Sequence, residues 1–133
     1  MGLKLRAKAS GGYLEPREVV NRINAAFAYV EVSEEAGHKH VDDVIIQLQA
    51  MMQDGTIPHN GHYIAHMKRM KDHAIFVYFG DNPGAEDECL STTVIPDEPL
   101  YFHYSSPAHE LSAQPILKRC AVALGYDIEA DGG

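Results

Sequence analysis

The residues best suited to chemistry are histidines packed into PHNGHYIAHMKRMKDH, residues 58–73: His59, His62, His66 and His73. Neutral imidazole nitrogens ligate transition metals, and imidazoles carry protons near neutral pH. At about 100° per helical residue these positions fall within roughly 60° of one another on one edge of a helix. His62 and His66, one turn apart, are spaced to share a divalent transition metal such as zinc or iron, with His59 as a third ligand. His73 stands about 10 Å along the axis from His66, at roughly 1.5 Å per residue, too far to join them. The pattern HxxHxxxH has no carboxylate within it, so unlike HExxH it brings no general base. His59 precedes Asn60-Gly61, ahead of the helix, so its direction is not set by the helical wheel. The plainer reading is a row of boundary histidines bonded to backbone or water, and a third is an edge whose imidazoles resist charging together. His38 and His40 in AGHKH read as a solvated helix entry.

Other nucleophile and phosphate signatures are absent. Ser105, His109 and Glu110 cluster without GxSxG and read as helix capping. Cys120 belongs to an apolar helical stripe and reads as an inert core thiol, and Cys89 follows an acidic run. DNPGAEDE does not match an EF-hand loop, and neither GxGxxG nor GxxxxGK[ST] occurs.

The histidine helix feeds the most apolar strand, AIFVYFG. With Ile75, Val77 and Phe79 facing a core, Phe76 and Tyr78 face away; on a later strand Tyr101 and His103 alternate with Leu100, Phe102 and Tyr104. An aromatic outer sheet face has three uses: packing against a second copy, lining a cleft for a small molecule, or stacking single-stranded RNA. For RNA, only the tail of the RNP1 pattern is echoed, Asp72 and His73 standing where a basic residue and glycine belong. A formal charge of −8 also counts against nucleic acid and anionic membranes.

These residues must be positioned by the elements around them. LKLRAKA alternates strictly over residues 3–9, a half-buried strand with Lys4, Arg6 and Lys8 outward. A helix is expected from Pro16 with the stripe Val19, Val20, Ile23 and Phe27, then a strand over 28–33. Glu34-Glu35-Ala36-Gly37 reads as a connection to a helix over about 40–53, with Val41, Val44, Ile45, Leu48, Met51 and Met52 in period. The histidine helix follows, roughly 60–72, with Asn60 as N-cap. Strands are expected over 74–80, 89–95 and 100–104, with turns at Asp81-Asn82-Pro83-Gly84 and Pro96-Asp97-Glu98-Pro99. A final helix is expected over about Ala108 to Leu124, with Pro115 inside it imposing a start near Ser112 or a kink; 127–129 adds a short edge strand and 130–133 frays.

The order β-α-β-(α-α)-β-β-β-α-β implies one α+β domain over residues 1–133, mainly antiparallel with helices on one face. It fits a ferredoxin-like βαββαβ plan with a two-helix insertion. That plan would make the first and third core strands neighbours, setting Lys4, Arg6 and Lys8 beside Phe76 and Tyr78. With 45% apolar and 23% charged residues, two distant cysteines, no leader-like segment and no long apolar run, a cytoplasmic protein is expected. The leading functional expectation is a small binding or regulatory module, homo-oligomeric through Phe76, Tyr78, Tyr101 and His103, without a cofactor. The alternative is a metal-binding protein or metal-dependent enzyme using His59, His62 and His66.

Overall fold

Local pattern sets most of the elements. The computed structural model describes residues 3–8, 11–82, 88–104 and 107–130, leaving out the side chains of residues 3–6, 103, 104, 107, 110 and 130. In order the elements are β1 (Leu3–Lys8), α1 (Pro16–Ala26), β2 (Tyr29–Ser33), α2 (Glu34–Gln53), α3 (Gly61–Met70), a 3-10 turn (Lys71–His73), β3 (Ile75–Gly80), β4 (Cys89–Val94), β5 (Leu100–Tyr104), α4 (Pro107–Leu124) and β6 (Asp127–Ala130). This is an α+β fold, and it reproduces the expected succession of strands and helices. The turn residues 83–87, Ser105-Ser106 and the tail 131–133 lie outside the described residues, as do the side chains of Lys4, Arg6 and His103.

The strand pairing differs from the ferredoxin-like expectation. The strands form two antiparallel three-stranded sheets, β5-β1-β6 and β2-β3-β4. Strand β1 therefore lies between β5 and β6, not beside β3, and Lys8 meets Glu129 of β6 at 4.0 Å instead of Phe76 or Tyr78. The two sheets approach along β4 and β5, where the Thr92 hydroxyl donates to the Tyr101 carbonyl at 2.8 Å. The sheets share one core: Val77 and Phe79 of β3, Leu90 and Val94 of β4, Leu100 and Phe102 of β5, sealed by Val19 and Ile23 of α1 and by Ile116, Leu117 and Cys120 of α4. Burial pushes the Cys120 thiol up to about 12, as befits a core side chain. A second, smaller cluster joins Val41 and Ile45 of α2 to Ile64 and Met67 of α3 and to Ala74. Ala74 precedes β3 on the parity of Phe76, so this cluster covers that end of the outer face.

Helix α2 begins at Glu34, six residues before the expected start. Ser33 caps it, accepting from the Ala36 amide at 3.0 Å, and Glu34 and Glu35 occupy its first turn. Gly37 is not a loop former. A Cβ there would stand 2.6 Å from the Ala74 carbonyl oxygen and 2.9 Å from the Phe76 nitrogen, so glycine lets α2 lie directly on the start of β3. Helix α4 likewise runs through Pro115 from Pro107. Its outer side carries Arg119, which pairs with Asp81, donates Nη2 to the Ala26 carbonyl at 2.9 Å and lies 4.6 Å over the Phe27 ring. Among the described residues, no helix is long and apolar enough to cross a membrane.

Candidate functional site

The site is built where α3 faces the β4–β5 turn. Asn60 starts α3 by accepting from the Tyr63 amide at 3.0 Å. One helical step then places Tyr63 and His66 at i and i+3 on the same side, their rings near parallel (29°) with centroids 6.4 Å apart. Opposite them the chain reverses between Pro96 and Pro99. Asp97 takes a positive φ of 61°, a conformation aspartate tolerates better than most residues, and the Glu98 amide donates to the Ile95 carbonyl at 3.3 Å. Ile95 packs into the α2–α3 cluster, which fixes the turn against the helices.

The result is a carboxylate aimed at α3. Glu98 Oε1 stands 3.9 Å from His66 Nε2, with the two side chains 19% and 28% exposed. Burial raises the Glu98 pKa above the usual carboxylate value, while His66 and the Tyr63 hydroxyl pull against it and Asp97 adds to it. Burial also raises the Tyr63 phenol, helped by Glu98 and then Tyr101. Tyr101, on β5 just after this turn, is 37% exposed. Such a carboxylate–imidazole–phenol set is able to exchange protons, accept hydrogen bonds or neutralise a cation.

The other sequence-predicted residues are dispersed. His62 is exposed; His59 is exposed and lines a shallow cleft of about 390 Å³ with Gln49, Met52 and Ile64. Among the described residues no three His, Cys, Asp or Glu side chains gather as a metal-holding group, so His59, His62 and His66 are not drawn together in that way. His62 and His66 do keep their one-turn spacing on α3. His73 leaves the helix on the 3-10 turn and lines a separate charged cleft of about 420 Å³ with Arg17, Glu34, Asp72 and Asp97. His38, inside α2, contacts the Asp72 carbonyl at 3.2 Å.

Phe76 and Tyr78 are half-buried and alternate with buried Ile75, Val77 and Phe79. Tyr78 meets Tyr29 of β2 edge-on at 6.1 Å, and its hydroxyl is pushed up to about 12, first by a hydrogen bond with Cys89 and then by burial. The Cys89 thiol in turn contacts the Asn82 carbonyl at 3.2 Å. His103 is placed by its backbone opposite Lys4.

Sequence reasoning missed Glu98 and Tyr63. The available signals were a lone glutamate held between two prolines and a tyrosine three residues before a histidine; the first reads as turn chemistry and the second as core. Comparison with family models, curated proteins and solved structures returns no significant match. The functional reading therefore stands on this geometry.

Proposed function

We propose that this chain is a small binding module whose ligand site is the Tyr63–His66–Glu98–Tyr101 cluster, continued by the partly exposed aromatic side of the sheets. The observation that carries this is Glu98: a carboxylate mostly removed from water and turned toward an imidazole 3.9 Å away. A surface glutamate with no role would keep its hydration; a half-buried one flanked by tyrosines marks a place where polar recognition is built into an apolar wall. A small-molecule fragment mixture observed by NMR tests it. Fragments should show saturation transfer from wild type and lose it with Glu98→Gln combined with Tyr101→Ala. Fragments that bind equally well to that variant, or an absence of binders, would remove the proposal.

A second reading is self-association through the other end of the outer face. Two observations favour it: β2 is the edge of its sheet, and its Tyr29 lies edge-on to half-buried Tyr78 on the face turned away from Val77 and Phe79. An open edge beside partly exposed aromatic rings is the kind of surface a second copy covers. Light scattering at tens of micromolar (about the range that populates a stable interface) should report more than one chain per particle, and Tyr78→Glu should reduce it to one. A monomeric wild type at that concentration rules the reading out.

A further inference from the structure

We infer that His66 and Glu98 form a proton-operated brace, which holds the β4–β5 turn against α3 in mildly acidic solution and lets it relax when His66 gives up its proton. The brace needs no ligand, so it stands or falls apart from the binding reading above. Its contact is poised between two states. At 3.9 Å, His66 Nε2 and Glu98 Oε1 are within ion-pair range but beyond the roughly 2.7–3.2 Å of an N–H···O hydrogen bond, and both side chains are mostly covered. Imidazole is the side chain whose charge ordinarily changes between about pH 5 and pH 8. A charged His66 attracts the carboxylate where salt and water screen less than at an open surface, and a neutral one removes that attraction. The state has a lower limit as well. Once Glu98 takes up its own proton, at a pH that burial sets above the ordinary carboxylate range, the attraction is gone.

The turn is the part able to respond. It is pinned at both ends, by Ile95 in the α2–α3 cluster and by buried Leu100, and between them Asp97 holds a left-handed backbone conformation, φ 61°. Such a conformation persists only where the surroundings impose it, so the turn relaxes when a restraint is withdrawn. Pro96 and Asp97 also line the charged cleft, together with Met70 and Ile75, so the brace sets the width of that cleft. Other charges lie close by. On α3, Arg69 falls about 60° round the helix from His66 and Lys68 about 200°. Both are exposed and neither makes an ion pair among the described residues, but they stay charged across this range and supply no switch. Tyr63 of α3 and Asp97 of the turn also act on Glu98, and Tyr101 of β5 acts on Tyr63. Helix α2 meets α3 through Val41 and Ile45, and its Asp42 is taken by Lys71 at 2.8 Å. Across the cleft from Asp97 stand Arg17, Glu34, Asp72 and His73, a second imidazole on that side.

An NMR titration from about pH 5 to pH 8, with amide hydrogen exchange, decides the matter. The amide at position 98, which donates to the Ile95 carbonyl at 3.3 Å, reports the turn, and Met70 and Ile75 report the cleft. In the wild type all three should shift with the midpoint of the His66 ring. Protection of the position-98 amide should fall about threefold as His66 is neutralised, the size a partly exposed ion pair supplies. In Glu98→Gln the His66 ring should still titrate while the three reporters cease to follow it. His66→Gln should remove the same response, and it serves where Glu98→Gln folds poorly. His73→Gln and Arg69→Gln should leave the wild-type response in place. Reporters that follow His73 instead, that still follow His66 in Glu98→Gln, or that stay constant in the wild type overturn the brace. A response lost in Arg69→Gln also overturns it, since the guanidinium would then be the partner of Glu98.

Discussion

Glu98 gathers more chemistry than any histidine in the chain, and it does so through its surroundings. Burial holds its folded pKa above the unfolded value, so its contribution to stability is full below the unfolded pKa and is lost as pH rises through the folded one. Glutamine imitates the neutral acid at every pH. Relative to wild type, Glu98→Gln should therefore gain in melting temperature between about pH 4 and about pH 8, bracketing an ordinary glutamate at about 4.3. A gap that shrinks over that range would mean that attraction to His66 outweighs desolvation. The histidine row was legible in the sequence because helical spacing is local information. The partner that gives His66 a role was not, since a turn residue's direction is set by how its hairpin docks on α3.

At the scale of elements, periodicity located nearly every helix and strand, and the failures share a cause. The first turn of α2 reads as a loop because Gly37 ordinarily punctuates chains, and α4 reads as broken at Pro115. In both cases tertiary contact overrides local preference. For Gly37 the override is measurable. Alanine would add roughly 1 kcal/mol of helix propensity, but its methyl would collide with backbone atoms of residues 74 and 76, which have little room to give. Overpacking of this kind costs about 1–3 kcal/mol, and immovable backbone puts it toward the upper end. Gly37→Ala should thus lower the denaturant midpoint even though it improves the helix. A raised midpoint would show that α2 is able to lift off β3 without loss.

For the whole molecule, the order of elements was legible and the pairing of strands was not. Alternation says that LKLRAK is a strand, but its neighbours, β5 and β6, come from the last third of the chain, and nothing within those six residues selects them over β3. The ferredoxin-like expectation failed at that point, and with it the placing of cationic stems beside Phe76 and Tyr78. The aromatic residues are divided between the sheets: Tyr29, Phe76 and Tyr78 belong to one and Tyr101 to the other, with Glu98 on the turn between β4 and β5. Arg119 spans comparable distances in the chain. It joins positions 93 and 38 residues away, Ala26 and Asp81, and neither contact exists until α4 has settled against α1 and the end of β3. Links of such long sequence separation close late in folding, after the transition state has committed to its nucleus. Arg119→Met, which keeps an apolar stem over Phe27, should leave the folding arm of the chevron in place and steepen the escape from the native state. The clasp would then act as a latch on the lifetime of the fold, with little part in its assembly.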